Sequence, residues 1–238
     1  MDDIVLPRNA FKYILLQRTE LIDPPIYRLA QLIKKLVPFI SHKRIVFFMS
    51  AIVRRKILLN FNRDMQLEYN VIRDHLPNNC FRILDIGCGI AGIDIFIYNH
   101  YSSEKICFFL LDKSQIDTGV HYGFKQHGEF YNSLSLAKKT MVLNGIPGSN
   151  INLLEATENG YIAIKEPVDL VLSLISWGFH YPVSTYLDNV YEILSDKGVL
   201  ILDVRKGTDG IQKLENKFGN HYVICDRQKY QRVICRRV

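Results

Sequence analysis

The chain of 238 residues has no glycine between residues 8 and 76, few cysteines and no long apolar run. Its five cysteines lack close pairing, which disfavours a disulfide framework and a cysteine-based metal site. The most apolar run, residues 45–53, has about half the length that a membrane-spanning helix needs. The first residues lack the charged start, apolar core and cleavage site of a secretory signal. These absences predict a cytoplasmic protein with reduced thiols and, at most, peripheral contact with a membrane.

Acidic residues are outnumbered, since 30 Lys and Arg face 24 Asp and Glu and leave a formal net charge of +6. Basic residues cluster at 34–35, 43–44, 54–56 and along the tail from 227 to 237. This excess favours anionic partners, such as nucleic acid, acidic lipid or an acidic sugar. Each cluster taken singly is equally typical of an ordinary solubilising surface.

The most informative segment of the chain is residues 82–92, which read Arg-Ile-Leu-Asp-Ile-Gly-Cys-Gly-Ile-Ala-Gly. This pattern predicts an apolar strand, a turn containing Gly87, Gly89 and Gly92, and a helix that follows. Such a turn lets the backbone approach a ligand, and the helix start offers free N–H groups beside it. A second apolar strand ends at Asp112, where a carboxylate can accept hydrogen bonds from ribose hydroxyls. The sequence therefore predicts a nucleoside pocket.

The glycine spacing alone does not identify the nucleoside, because Gly-x-Gly-x-x-Gly also matches the dinucleotide fingerprint. Asp85 lies two residues before the first glycine, at the carboxyl end of the predicted strand. A carboxylate at this position suits a cationic amino acid group and would repel a pyrophosphate. This residue favours S-adenosylmethionine (SAM) over a nicotinamide cofactor.

The string Ile-Leu-Asp-Ile-Gly-Cys-Gly closely resembles motif I of the class I SAM-dependent methyltransferases. The resemblance covers roughly residues 80–204 and implies an α/β fold, a doubly wound, seven-stranded Rossmann-like sheet. Later segments agree with it in order. They are a third strand at 150–156, a fourth at 168–173, a helix at 186–194, a fifth strand at 198–203 and a closing antiparallel pair at 221–225 and 232–235.

The resemblance also implies the cofactor contacts, residue by residue. Asp85, before the turn, would orient the amino acid end of SAM, and the turn at Gly87, Cys88 and Gly89 would admit the cofactor backbone. Asp112 and Lys113, at the end of the second strand, would lie at the ribose. Glu155 and Ala156 of the third strand would border adenine, and Ser173 of the fourth strand would line the methyl-facing side.

Two regions exceed a minimal methyltransferase core. Residues 1–76 carry helical apolar spacing and are predicted to form an N-terminal helical extension or cap, before a core at 77–238. This extension could cover the pocket, contact the acceptor or form a homodimer. Residues 113–149 form an insertion rich in glycines and aromatics, which we interpret as a lid. With Phe-Tyr-Asn-Ser-Leu at 130–134 and Asn-Gly-Ile-Pro at 144–147, the insertion also resembles, less closely, a group of bacterial proteins assigned as sugar methyltransferases.

His180 is the first candidate for the base that deprotonates a hydroxyl acceptor, because histidine titrates near neutrality. A role in fixing its loop by a hydrogen bond is almost equally compatible with the sequence. His121 and His127, on the proposed lid, are weaker candidates. Metal-independent transfer is expected, since the end of the fourth strand offers serines and no cluster of oxygen ligands.

The favoured function is O-methylation of a sugar or another polar small molecule, with a glycan or anionic acceptor included. RNA ribose methylation is the main alternative, given the basic charge. A nicotinamide-dependent oxidoreductase is disfavoured because the Tyr161-x-x-x-Lys165 pair lies before the fourth strand. A protein that binds SAM without transferring its methyl group is the remaining alternative.

Overall fold

The computed structural model describes residues 3–17, 54–114 and 133–237. The helices are α1 (Ala10–Gln17), α2 (Arg54–Ile72), α3 (Gly92–Tyr101), α4 (Leu134–Leu143), α5 (Leu187–Ile193) and α6 (Gly210–Phe218). The strands are β1 (Arg82–Ile86), β2 (Cys107–Asp112), β3 (Ile151–Glu155), β4 (Val168–Ser173), β5 (Ser176–Tyr181), β6 (Leu194–Arg205), β7 (Tyr222–Asp226) and β8 (Tyr230–Arg236). The predicted strands and helices of the core agree with these bounds to within a few residues.

Seven of these strands form one sheet in the order β3-β2-β1-β4-β6-β8-β7. The neighbours from β3 to β6 pair in parallel, whereas β8 runs antiparallel to both β6 and β7. β5 lies outside this order. The sequence-based prediction of a doubly wound α/β sheet that closes with an antiparallel pair is therefore confirmed.

Successive residues of the central strands supply two separate apolar layers, because side chains alternate between the faces of a sheet. Ile83 of β1 belongs to one layer and Leu84 belongs to the other. The first layer is covered by apolar residues of α1 to α4. The second is covered by α5, α6 and buried residues of the segment after β4. Both faces of the sheet are thus buried, which explains the nearly continuous apolar runs in its strands.

The described part of the N-terminal region packs into the first of these layers. α1 and α2 contribute buried side chains such as Phe11, Ile14 and Phe61 to the cluster that contains β1 and β2 residues. The backbone N–H of Ile4 donates to Asn62 Oδ1 on α2 at 2.9 Å. The predicted boundary between an extension and a core near residue 76 stays a prediction, although these contacts make the two parts share one apolar layer.

The connection from β3 to β4 differs from the usual crossover between parallel strands. Such strands are normally joined by a helix, but residues 156–167 form an irregular segment. Its side chains Ile162 and Ile164 are buried in the second apolar layer. The segment therefore covers the sheet with two isoleucines where a helix would ordinarily pack.

Several predictions concern residues outside the described part of the chain. These are the apolar run at 45–53, the basic pairs at 34–35 and 43–44, and most of the proposed lid, with His121 and His127. In the described ranges, none of the helices has both the length and the apolar character needed to cross a bilayer. All five cysteines lie in these ranges, and none of them forms a disulfide.

Candidate functional site

The glycine turn lies at the carboxyl end of β1, where the strand order reverses between β1 and β4. Ligands of open α/β sheets bind at such a switch point. Gly87 has φ +80° and donates its N–H to the carbonyl of Leu111 at 2.7 Å. A β-carbon on Gly87 would lie 1.8 Å from Ser176 Oγ. Glycine is therefore required here both by the backbone conformation and by the close approach of β5.

Asp112 ends β2 and is fastened to the glycine turn. Its Oδ2 accepts a hydrogen bond from the N–H of Gly89 at 3.0 Å, and its Oδ1 accepts one from the N–H of Lys113 at 2.7 Å. Its backbone carbonyl accepts the N–H of Ala156 at 2.9 Å. The carboxylate is thereby fixed at the edge of the sheet that the sequence assigned to ribose, and its role as a ribose ligand stays a prediction.

Glu155 pairs with Asp112 in the register of β2 and β3, so both carboxylates lie at the same edge of the sheet. Glu155 Oε1 accepts the N–H of Ser114 at 2.7 Å. The hydroxyl of Ser114 in turn accepts the N–H of Leu134, at the start of α4. This chain of bonds connects the predicted adenine edge with the first residues of the proposed lid segment and with the start of α4 inside it.

Two buried carboxyls lie beneath the glycine turn, Asp85 at the end of β1 and Asp94 in the first turn of α3. Burial raises the pKa of Asp85 well above its usual range, and the nearby carboxyls of Asp94 and Asp112 raise it further. Burial likewise raises the pKa of Asp94 to about 7. Neither oxygen of Asp94 receives a hydrogen bond of regular geometry from the described residues. This acidic centre suits a cation and opposes a diphosphate.

Ser173, predicted to line the methyl-facing side, is fully buried. Its hydroxyl donates to the carbonyl of Ile86 at 2.6 Å and accepts the N–H of Trp177 at 2.9 Å. The indole N–H of Trp177 donates to the carbonyl of Val183 at 2.9 Å. Ser173 therefore ties the ends of β1 and β4 to the following strand, and direct contact with a cofactor stays a prediction.

The turn between β4 and β5 is held by a second acidic centre. Ile175 has φ +53°, which is unusual for a β-branched residue, and its N–H donates to Asp203 Oδ2 at 3.0 Å. Arg232 of β8 binds Asp203 through two nitrogens, at 2.7 and 2.8 Å. Arg232 also binds Glu68 of α2. Strained backbone concentrates at functional sites when its surroundings hold it in place, and this network does so.

α2 packs directly on the helix that follows the glycine turn. A β-carbon on Gly92 would lie 2.5 Å from Phe61 Cζ and 2.9 Å from Met65 Sδ. The third glycine of the motif therefore permits close helix packing in this chain. α2 thus contacts the candidate cofactor site at Gly92 and the β4–β5 turn through Glu68 and Arg232.

β5 carries the candidate base and an aromatic side chain nearer to the acidic centre. His180 packs edge-on against Phe179, and burial, with a smaller contribution from Arg205, lowers the pKa of its imidazole. Burial raises the pKa of Tyr181 well above its usual range, and smaller contributions come from Tyr186, Asp112 and Asp85. The hydroxyl of Tyr181 lies 3.4 Å from Ser176 Oγ, which is the side chain beside Gly87. The role of His180 as a base stays a prediction.

Sequence reasoning assigned no role to Asp94, Ser176 or the Glu68–Arg232 pair. Asp94 could have been noticed, because it interrupts the apolar run 93–97 of a helix start. Ser176 lies in a segment whose backbone path is not evident from the residue pattern. Glu68 and Arg232 are 164 positions apart, so no local spacing could connect them.

Comparison with solved structures identifies the architecture. The precorrin-6y C5,15-methyltransferase of Geobacter metallireducens is 16% identical and superposes with a TM-score of 0.50, covering 74% of this chain and 87% of that one. The Thermus thermophilus 16S rRNA N2 G1207 methyltransferase, solved with AdoMet and guanosine, is 12% identical, with a TM-score of 0.50 and coverage of 77% and 42%. An O-methyltransferase family protein of Burkholderia thailandensis is 12% identical, with a TM-score of 0.50 and coverage of 74% and 56%.

The fold is that of the class I SAM-dependent methyltransferases. The chain spans about half the length of the second and third of these structures. No family model and no curated protein matches the sequence. At 12–16% identity, the structural likeness establishes the fold that the sequence predicted and leaves the acceptor to be argued from the site.

Proposed function

We propose that this protein is a SAM-dependent methyltransferase that methylates a hydroxyl group of a sugar or a related polar small molecule, without a metal ion. The observation that carries the cofactor assignment is the arrangement around the glycine turn. Asp112 is bonded to Gly89 on one side of the turn, and the buried carboxyls of Asp85 and Asp94 lie on the other. Such a site favours a nucleoside with a cationic tail over a nicotinamide dinucleotide.

SAM supplies a methyl group activated by a sulfonium, so the protein's task is to align the acceptor and exclude water. Asp112 would hold the ribose hydroxyls, and Asp85 would orient the ammonium group. The turn at Ile175 is held by Asp203 and would position β5 against the glycine turn. Ser176, the first residue of β5, lies directly beside Gly87.

Hydroxyl methylation needs a group that accepts the acceptor's proton. The lowered pKa of His180 keeps its imidazole neutral at pH 7, and a neutral imidazole can accept a proton. We therefore retain His180 as the proposed base. Asp203 is engaged by Arg232 and Ile175 through both of its oxygens, which supports a structural role for this carboxylate.

The assignment of a sugar acceptor rests on the resemblance of the insertion to bacterial sugar methyltransferases. RNA ribose is the second candidate, favoured by the formal net charge of +6. The two candidates differ in their salt response, because binding to RNA releases many counterions and weakens steeply between 50 and 200 mM salt.

The test combines cofactor binding with a search for the acceptor. Calorimetry should detect binding of SAM and S-adenosylhomocysteine but not of NAD or NADP. Incubation with methyl-labelled SAM and separated glycans, RNA and small metabolites should then label the carbohydrate or small-metabolite fraction, with EDTA leaving the label unchanged. Label in RNA would instead support the second candidate, methylation of RNA ribose. A protein that binds NADP and not SAM would refute the methyltransferase assignment.

A further inference from the structure

Asp94 is a carboxylate within the apolar start of α3, and the function proposed above gives it no contact of its own with the cofactor. Its side chain is 0% exposed, and its chain neighbours Ile93 and Ile95 are buried as well. Neither carboxylate oxygen accepts a regular hydrogen bond from a donor in the described ranges. An ionised carboxylate is strongly unfavourable in such surroundings unless a cation or a proton compensates it.

The titratable neighbour that acts on Asp94 is Asp85, and the two carboxyls interact through a hydrogen bond. Ionised carboxylates only accept hydrogen bonds, so a bond between the two requires a proton on one of them. The position of Asp94 near the start of α3 favours some negative charge, since helix N-termini attract anions. The pair is therefore arranged to share one proton while no cation is present.

The other elements around this pair add no compensating cation at the contacts described. β2 contributes the carboxylate of Asp112, and β5 contributes the phenol of Tyr181. α2 presents the apolar side chains Phe61 and Met65 to the first residue of α3. Burial raises the pKa of both carboxyls, and the carboxylate of Asp112 raises that of Asp85 further. Hydrogen bonds from Asp85 and from its own backbone N–H lower the pKa of Asp94, but by less than burial raises it, so two ionised carboxylates are disfavoured.

We propose that Asp85 and Asp94 together form the receptor for the ammonium group of the cofactor, and that the proton they share leaves when this group binds. The inference rests on the proposed function, since it concerns the same cofactor. The carboxyl O–H bond breaks, its proton passes to a buffer base, and the ammonium N–H groups donate to the carboxylates. One positive charge therefore replaces another in the buried site. Asp94 is a cofactor-binding residue in this scheme, and nucleosides without an amino acid tail leave the proton in place.

The test measures protons released on binding, from the calorimetric enthalpy in phosphate and imidazole buffers at pH 6.5. Free α-amino groups are charged at this pH, because their pKa is about 7.7–8.0. SAM and S-adenosylhomocysteine should each release roughly one proton from the full-length protein. 5′-Methylthioadenosine, which keeps the nucleoside and lacks the amino acid tail, should release none. Equal release by all three ligands, or binding of SAM without release, would overturn the proposal.

Asp94→Asn should abolish the difference between SAM and 5′-methylthioadenosine and should lower the affinity for SAM more than that for the tailless nucleoside. Asp74→Asn is the matched control, since its side chain is 78% exposed, and it should retain the wild-type release. The ligand comparison on the wild-type protein decides the question even where Asp94→Asn fails to fold. A complete lack of SAM binding would refute the proposed function itself, which distinguishes that failure from binding without proton release.

Discussion

Two buried acidic centres lie under the same edge of the sheet, and they differ in how their charge is compensated. Asp203 is bound by two nitrogens of Arg232, which also pairs with Glu68. Asp85 and Asp94 have each other as neighbours, and Asp94 lacks a regular donor in the described chain. The first centre is complete within the protein and holds a turn. The second is incomplete without an added proton or cation, as expected for a binding site.

α2 connects the two centres. Phe61 and Met65 pack over the first residue of α3, and Glu68, one helical turn further along, binds Arg232. The predictions below disturb one centre or the helix between them, in order of decreasing expected effect.

Removing the cation of the complete centre should be the most damaging change. Arg232→Met leaves Asp203 buried without its partner, and the free energy of unfolding should fall by about 3–5 kcal/mol. Urea denaturation measures this loss. Arg236→Met, at an exposed position of the same strand, is the control and should change stability by less than about 0.5 kcal/mol. Equal losses in the two variants would contradict a special role for the buried pair.

Separating α2 from the glycine turn should have the next largest effect. Gly92→Ala places a methyl group against Phe61 and Met65, and overpacking of this kind costs about 1–3 kcal/mol. Adding Phe61→Leu should recover part of the loss, as thermal unfolding of both variants would reveal. Gly148→Ala, whose β-carbon meets its nearest atom at 3.6 Å, should be close to neutral. The absence of recovery in the double variant would argue against this contact.

Asp112→Ala should weaken SAM binding by about 1–3 kcal/mol, because it removes the charge-assisted hydrogen bonds proposed to hold the ribose and leaves the N–H of Gly89 without its carboxylate acceptor. Titration calorimetry measures the affinity, and Asp74→Ala is an exposed control. Asp112→Asn, which keeps one oxygen acceptor, should lie between the wild type and Asp112→Ala. Unchanged affinity in Asp112→Ala would remove Asp112 from the cofactor site.

The stability that the Asp85–Asp94 centre contributes should depend on pH. The folded-state pKa of Asp94 is raised from 3.8 to about 7, so its stabilising contribution is fully present below pH 3.8, falls as pH rises from there to about 7, and then levels off. Relative to Asp94→Asn, the cofactor-free wild type should lose up to about 1.4 kcal/mol per pH unit over this interval. Thermal unfolding of both proteins between pH 5 and 8 gives the difference. A constant difference would show that Asp94 does not titrate there.

The pH dependence of stability that His180 causes should have the opposite sign to that of Asp94 and should be smaller. Its folded-state pKa is lowered, so a protonated imidazole is less favourable in the folded protein, and stability is lost as pH falls below about 6.5. His180→Gln should flatten that acidic limb of the stability profile. A separate loss of turnover in this variant, with SAM affinity unchanged, would support its role as the base.

The sheet was predictable from sequence because each central strand is a short apolar run that ends in a glycine turn or a polar residue. Ile83 and Leu84, for example, serve opposite faces, so the strand reads as continuously apolar. The glycine turn and Asp112 were predictable for a similar reason, since their spacing is local. The partner of Arg232 and the approach of Ser176 to Gly87 were not predictable, because both arise from tertiary packing across distant segments.

The placement of α2 has a practical consequence for anyone who wants a smaller version of this protein. A shortened chain that starts at β1 would uncover the apolar layer beneath Ile83 and would deprive Arg232 of Glu68. Such a fragment should aggregate, even though every residue of the glycine motif would still be present. In this protein, the helix ahead of the motif is as much a part of the folded unit as the motif itself.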